Sequence, residues 1–305
     1  MLNRASKPFV KLVERYLPDP YIFVLLLTLI TFAFAVVIQN QSPLTTIQQW
    51  GDGFWGLLTF SMQMLLVLVT GFMLACTPLV KALLERLASL AKSPGSAIVL
   101  VTLVSLIASW INWGFGLVVG ALFAKALARK VSVDYRLLVA SAYSGFIVWH
   151  GGLAGSVPLT IATPGHFSEA QIGVVGTGET IFSGFNLLLL AIMFVIIPLV
   201  NRLMLPPESE SIIVDSAKLK DDALPSATNE RPADKLENSK VLGLLVGFAG
   251  LAYLTNYFVS GGGLNLNIVN TLFLFLAIVL HGTPRNVLHS LQQAVQGGSG
   301  IVIQF

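Results

Sequence analysis

The stretch Ser109-Trp-Ile-Asn-Trp-Gly-Phe-Gly-Leu-Val-Val-Gly120 lies near the middle of a 32-residue apolar run, residues 97–128. As a single helix this run would be about 48 Å long, whereas the hydrocarbon core of a bilayer is about 30 Å thick. The run must therefore overshoot the bilayer or turn back on itself. Asn112, Gly114 and Gly116 stand where a helix would break. We predict a re-entrant hairpin over 97–128 with these residues at its tip.

The composition is that of an integral membrane protein. Of the 305 residues, 55% are hydrophobic and 11% are charged, against about 25% charged in soluble domains, and the mean hydropathy is +0.79. The net charge of +3 does not indicate nucleic acid binding, because the basic residues are dispersed along the loops. The predicted fold class is an all-α polytopic membrane protein, a helical bundle. Besides the hairpin, we predict membrane spans at 21–38, 54–76, 137–160, 180–204, 241–259 and 267–281.

Polar segments divide the chain. Residues 2–17 have an apolar and a basic face, which predicts an interfacial helix before the first span. Residues 205–239 combine prolines with dense charges and predict a solvated cytoplasmic linker. The linker separates a first membrane repeat, 1–204, from the start of a second, 240–305. The second is expected to be incomplete, because its last apolar segment, 297–305, is too short to cross a bilayer.

The basic residues support the predicted hairpin. If the run 97–128 enters and leaves on one side, all 18 Lys and Arg residues lie on the cytoplasmic side. The outer loops, 39–53, 161–179 and 260–266, then contain none. Because Lys and Arg are biased toward the cytoplasm, this asymmetry favours the hairpin over a single crossing and predicts a cytoplasmic N-terminus.

The tip of the predicted hairpin is a candidate binding site. Broken helix at membrane depth is tolerated where it lines a cavity or is buried in protein, and helix N-termini at such breaks attract anions. Asn112 offers a hydrogen-bond donor and acceptor, the glycines allow close approach, and Trp113 and Phe115 supply apolar walls. The alternative is a packing groove of small residues, Gly116 and Gly120, with Asn112 satisfied between helices.

A second break follows residues 137–149. Its sequence, His150-Gly-Gly-Leu-Ala-Gly-Ser-Val-Pro158, is too rich in Gly and Pro for a regular helix. His150 is either a proton carrier and carboxylate partner or a neutral histidine bonded to a carbonyl. Ser156 and Thr163 are candidate hydroxyl ligands. The predicted substrate-binding residues are Asn112, Trp113, Gly114, Phe115, Gly116, His150, Gly151, Gly152, Ser156 and Thr163.

Other chemistry is weakly indicated. No Asp or Glu lies deep in a predicted span, so a carboxylate proton relay is not visible, and coupling to Na⁺ or H⁺ stays open. No cofactor is predicted. Ser144 and His150 are six residues apart, which places them off a common helical face, and no metal-ligand spacing or phosphate loop occurs. An enzyme is therefore not predicted.

Five motifs occur in an order that resembles a known family. They are Leu17-Pro-Asp-Pro20, Trp50-Gly-Asp-Gly-Phe-Trp55, Ile111-Asn-Trp-Gly-Phe-Gly-Leu-Val-Val-Gly120, Gly155-Ser-Val-Pro-Leu159 with Ala162-Thr-Pro-Gly165, and Phe182-Ser-Gly-Phe-Asn186. From about residue 8 to 305 the chain resembles the bacterial short-chain fatty acid transporters. The resemblance implies uptake of short monocarboxylates across the inner membrane by a carrier built from two inverted repeats with re-entrant hairpins. It also implies a second Gly-rich hairpin beyond Phe305.

The predicted function is secondary transport of short-chain fatty acids or similar small monocarboxylates across the bacterial inner membrane. The expected partners are these small carboxylate anions and the lipid bilayer, and a homodimer is one possible assembly. One alternative is a carrier for C4-dicarboxylates or another organic anion. Another is a structural subunit or truncated product that does not transport.

Overall fold

The computed structural model describes residues 2–219, 231–298 and 300, and all regular secondary structure in these ranges is helical. Within these ranges, five helical segments are long and apolar enough to cross a membrane, which confirms the predicted fold class. They are Leu58–Ala75, Pro94–Ile111, Tyr135–Ile161, Gly184–Leu203 and Lys240–Val259. The helix over the predicted last span, Leu266–His281, is apolar but shorter, with 16 residues.

The helices used below carry labels in chain order. They are α1 (Leu2–Tyr16), α2 (Pro20–Val37), α3 (Pro43–Gly53), α4 (Leu58–Ala75), α5 (Pro78–Ala88), α6 (Pro94–Ile111), α7 (Trp113–Ala128), α8 (Tyr135–Ser144), α9 (Ser156–Ile161), α10 (Glu169–Ile172), α11 (Gly184–Leu203), α12 (Pro232–Glu237), α13 (Lys240–Val259), α14 (Leu266–His281) and α15 (Pro284–Gly297).

The N-terminal helices partly follow the prediction. The axes of residues 6–16 and 21–37 are inclined by 77°, as expected for an interfacial helix that leads into a span. However, α3 replaces the polar loop predicted at 39–53. The hydroxyl of Ser42 accepts a hydrogen bond from the Thr45 backbone N–H, and Pro43 occupies the first turn, so a cap and a preset φ angle start this helix.

The chain reverses at Asn112, between α6 and α7. The backbone of Asn112 is extended, its N–H donates to the Ala108 carbonyl at the end of α6, and its Oδ1 caps α7 by accepting from the Phe115 N–H at 2.9 Å. Gly116 faces Ser109 and Gly120 faces Ser105, so α6 and α7 are antiparallel. The predicted helix break and chain reversal are both present. Entry of this hairpin into a membrane from one side stays a prediction.

The second predicted break begins earlier than expected. After α8, residues Gly145–Gly151 form a 3₁₀ helix, and α9 resumes at Ser156. A Cβ carbon at Gly145 would lie 2.6 Å from the carbonyl carbon of Ser105. The missing side chain therefore lets this segment pack directly on α6.

Helix α4 occupies the centre of the bundle, because α7, α14 and α15 all pack against it. Along α14, the Asn267 side chain bonds to Gln63 at 3.0 Å, and the His281 Nε2 lies 2.8 Å from the Met73 carbonyl oxygen. The residue numbers of the contacting partners increase in the same direction on both helices, so α4 and α14 run parallel. The division into repeats 1–204 and 240–305, and their inverted relation, stay predictions.

The described ends of the predicted linker are anchored to the bundle. The Ile212 N–H donates a hydrogen bond to the Asp134 carboxylate at 2.9 Å. The Ile212 carbonyl in turn accepts one from the Tyr135 N–H, also at 2.9 Å. At the other end Asp234, which is only 1% exposed, accepts hydrogen bonds from Arg231 and Arg285. These contacts attach both described ends of the predicted linker to the bundle. The solvated character of the linker stays a prediction, and residues 220–230 lie outside the described part.

Candidate functional site

Buried hydrogen-bond donors cluster at the tip of the α6–α7 hairpin. The Asn112 side chain is 0% exposed, and Ser109 and Trp113 are 1% and 6% exposed. Within the described ranges, no group bonds to the Asn112 Nδ2, the Trp113 Nε1 or the Ser109 Oγ. A buried donor without a partner costs about 1–3 kcal/mol. These three donors lie within five consecutive residues, from Ser109 to Trp113.

The second helix break lies directly against this tip. The backbone N–H of Leu153 donates to the Trp110 carbonyl at 2.7 Å. A Cβ carbon at Gly152 would lie 2.9 Å from the Trp110 Cα. The ring of Trp113 packs edge to face on Trp149, with 5.9 Å between centroids. Trp110 and Trp113 of the tip thus lie against the second break, as the sequence predicted for two facing breaks.

The glycines of the tip are covered by neighbouring backbone. A Cβ carbon at Gly114 would lie 2.6 Å from the Leu68 Cα, and one at Gly116 would lie 2.5 Å from the Ser109 Cα. These two residues therefore allow close helix packing, which was the alternative interpretation from sequence. Their participation in binding stays a prediction. Phe115 also faces the bundle, with its ring 5.9 Å from that of Phe273 on α14.

His150 and Gly151 lie at the edge of the second break. The His150 side chain is exposed, and its ring lies 3.9 Å from the Trp149 ring, measured between centroids. The carbonyl of Gly151 accepts a hydrogen bond from the Asn186 side chain at 3.0 Å. His150 is therefore adjacent to Trp149 but, unlike the donors of the tip, it is exposed.

The two predicted hydroxyl ligands lie farther along the chain. Ser156 is buried at the start of α9, and its carbonyl accepts from the Thr160 hydroxyl at 2.5 Å. The Thr163 hydroxyl donates to the Leu159 carbonyl at 2.6 Å and accepts from the Leu266 N–H at 3.2 Å. Thr163 therefore connects the end of α9 to the start of α14, and its hydroxyl is already bonded.

One polar cavity was missed by the sequence reasoning. A space of about 510 Å³ lies between α4, α7 and α15, and Lys81, Lys125, His281, His289 and Ser290 contribute to its lining. These residues come from four separate segments, so no local motif joins them. The available signals were a lysine in the last turn of the hairpin and a histidine at the end of an apolar helix.

Comparisons with known proteins cover the whole chain. A family model described as "Short chain fatty acid transporter" matches residues 1–305. A protein of Escherichia coli (strain K12) is 43% identical over 312 residues, which cover 100% of this chain and 70% of the relative. A protein of Haemophilus influenzae (strain ATCC 51907 / DSM 11121 / KW20 / Rd) is 40% identical over 317 residues, with 100% and 71% covered. Both relatives carry the name "Putative short-chain fatty acid transporter". No solved structure gives a significant match.

Proposed function

Since the chain belongs to the short chain fatty acid transporter family, we propose that it takes up short monocarboxylates and binds their carboxylate at the tip of the α6–α7 hairpin. As a member of this family it is a transporter of short-chain fatty acids rather than an enzyme. The proposal adds the binding site, the direction of transport and the orientation in the bacterial inner membrane.

The observation that carries the site is the group of buried donors at the tip. The Asn112 Nδ2, the Trp113 Nε1 and the Ser109 Oγ can each donate a hydrogen bond, and no described residue accepts one from them. A carboxylate has two acceptor oxygens with about four lone-pair directions, so it matches such a set. The hydrogen bonds would be charge-assisted and therefore stronger than neutral ones.

The surroundings favour a short apolar substrate with one charge. The rings of Phe146 and Trp149 lie 6.2 Å and 5.9 Å from the Trp113 ring, between centroids. A short acyl chain could pack against these rings without burying a polar group. A second carboxylate at the same place would lose water without gaining a partner, which disfavours the dicarboxylate alternative.

The packing of the hairpin on α4 supports a re-entrant arrangement. The tip contacts Leu68, which is the eleventh of the 18 residues of α4. If α4 spans the bilayer, the tip therefore lies near mid-depth, about 15 Å from the start of that helix. At the far end of the hairpin, Arg129 pairs with Glu85 of α5, the helix that follows α4. With Lys and Arg concentrated in the cytoplasm, the hairpin enters from that side and the N-terminus is cytoplasmic.

The test is uptake of radiolabelled butyrate by cells that express the chain. The variant Asn112→Asp keeps the capping oxygen but replaces the buried donor with a negative charge, so we expect uptake to fall to background. Asn40→Asp makes the same chemical change in an exposed loop and should transport as the wild type does. Membrane levels of each variant are compared by immunoblot.

Two outcomes would contradict the proposal. Normal butyrate uptake by Asn112→Asp would remove the binding site from the tip. Competition by excess succinate as strong as that by unlabelled butyrate would instead favour a dicarboxylate carrier.

A further inference from the structure

The cavity between α4, α7 and α15 is lined by basic side chains from different parts of the chain. Lys81 comes from α5, Lys125 from the last turn of α7, His281 from the end of α14 and His289 from α15. No Asp or Glu contributes to the lining that the structure describes. The cavity therefore presents a positive surface without a matching negative one.

The two lysines have no partner of opposite charge in the described ranges. Both are half-buried, and neither ammonium group takes part in an ion pair or a hydrogen bond there. By contrast, the neighbouring Lys130 and Arg129 both pair with Glu85. Like charges on one cavity repel each other, and an anion between them removes this cost.

Two further polar groups on this cavity are buried without a partner. His281 is 5% exposed, and its Nε2 donates to the Met73 carbonyl, which can only accept, so its Nδ1 is left for another contact. Ser290 is 1% exposed. Within the described residues, the His281 Nδ1 and the Ser290 Oγ have no hydrogen-bond partner. These buried groups give the cavity polar contacts besides the lysines.

The remaining walls are apolar. Phe72 of α4 and Leu117 and Val118 of α7 line the side of the cavity nearer the hairpin tip. Since Leu117 follows Gly116 directly, one helix lines both this cavity and the site at Asn112. A ligand that fits has one negative end for the ammonium groups and a short apolar remainder.

We propose that this cavity is a second binding site for short-chain carboxylates, with the carboxylate at Lys81, Lys125 and Ser290 and the acyl chain against Phe72 and Leu117. The inference rests on the proposed function, because it assigns the same substrate to a second position. The substrate would then pass along α7 between this cavity and the hairpin tip.

The only cysteine of the sequence, Cys76, lines the same cavity and provides a probe. The experiment measures the rate at which N-ethylmaleimide modifies Cys76 in the purified full chain, with and without butyrate. We expect butyrate to slow the reaction several-fold. Butyramide, which has the same shape but no charge, should not slow it. Protection by butyramide equal to that by butyrate would overturn the proposed carboxylate contacts.

The lysines are tested in the double variant Lys81→Gln, Lys125→Gln. It should lose the protection by butyrate, and calorimetry should give butyrate binding weaker by about tenfold or more, because charge-assisted contacts are lost. Lys92→Gln alters an exposed lysine outside the cavity and should behave as the wild type does. An unchanged number of butyrate sites with unchanged affinities in the double variant overturns the second site, whether or not Cys76 reacts.

The proposed function fails in a different way from the second site. If the wild-type chain neither transports nor binds butyrate, both proposals are wrong. If butyrate uptake depends on Asn112 but neither Cys76 protection nor butyrate affinity depends on the lysines, only the second site is wrong.

Discussion

Gly114 on α7 and Leu68 on α4 approach so closely that a Cβ carbon at position 114 would lie 2.6 Å from the Leu68 Cα. Gly71, one turn farther along α4, makes the reciprocal approach, since its Cβ carbon would lie 2.9 Å from the Gly114 carbonyl carbon. Two glycines on opposite helices thus bring the hairpin tip against the central helix. The depth of the tip in the bundle is therefore determined by backbone contact.

Gly114→Ala should consequently destabilise the protein. The added methyl group would meet backbone atoms, which cannot rotate away as a side chain can, and overpacking of this kind costs about 1–3 kcal/mol. We expect a lower thermal unfolding temperature in detergent and reduced butyrate uptake. The control is Gly184→Ala, at the start of α11, where a Cβ carbon would meet nothing within 4 Å. An unfolding temperature for Gly114→Ala equal to that of the control would contradict this packing argument.

Trp113→Phe should separate binding from stability. Phenylalanine keeps an aromatic ring against Phe146 and Trp149 but removes the buried Nε1 donor that has no described partner. Since a hydrogen bond to a charged group contributes about 1.5–3 kcal/mol, we expect butyrate binding to weaken by about tenfold or more with little change in the unfolding temperature. Trp55→Phe, at a side chain that is 71% exposed, is the matched control. Equal affinity in the two variants would exclude the Trp113 nitrogen as a ligand.

The sequence was sufficient to predict the break at Asn112, because an apolar run too long for one crossing must be interrupted, and its polar and flexible residues mark the place. It also predicted a second break after residue 149. The meeting of the two breaks follows from burial of irregular backbone. Local patterns reveal which residues are apolar, whereas the packing of Gly114 on Leu68 depends on which helices become neighbours.

The features that the sequence did not predict depend on contacts that no local sequence pattern reveals. Lys81, Lys125 and His281 line one cavity although they are far apart in the sequence. Helix α3 was missed because its composition is polar, and its start depends on the cap at Ser42. The attachment of the linker was not predicted, because the hydrogen bond from the Ile212 N–H to the Asp134 carboxylate joins residues that are far apart in the sequence.

Asn201 of α11 connects its own helix to α6 and α8. Its Nδ2 donates to the Thr102 hydroxyl of α6 at 3.0 Å and to the Ser144 hydroxyl of α8 at 2.7 Å, and the residue is 8% exposed. Asn201→Leu removes both hydrogen bonds and should lower the free energy of unfolding by about 1–3 kcal/mol. The measurement is unfolding in detergent, compared with Asn256→Leu, which changes an exposed asparagine of α13.

The Asn256→Leu control separates the loss of the Asn201 hydrogen bonds from the effect of added hydrophobicity. Both substitutions exchange an amide for an isobutyl group on an apolar helix, so a general effect of added hydrophobicity would be the same in both. Equal unfolding free energies in the two variants would mean that the Asn201 contacts contribute nothing to stability.

Asp134 should make the attachment of residues 205–219 sensitive to pH. Burial of its carboxyl group opposes ionisation, but hydrogen bonds from Arg136 and from the backbone N–H groups of Ile212 and Leu137 outweigh burial and lower its pKa below 3.8. Because the pKa is lower in the folded state, the ionised carboxylate stabilises the fold above pH 3.8. This contribution is lost as the pH falls through the lowered folded-state pKa.

Asp134→Asn should therefore reduce stability near neutral pH by about 1–3 kcal/mol, because the charge-assisted bonds are lost. The difference from the wild type should shrink in strong acid, where the wild-type carboxyl group is also neutral. Limited proteolysis should cleave residues 205–219 faster in the variant at neutral pH, since the contact to Ile212 weakens. Asp215→Asn, in which an exposed carboxylate contacts only the nearby Ala217 N–H among described groups, should change neither measurement. A stability difference for Asp134→Asn that is the same at both pH values would show that ionisation of this carboxyl group is not the cause.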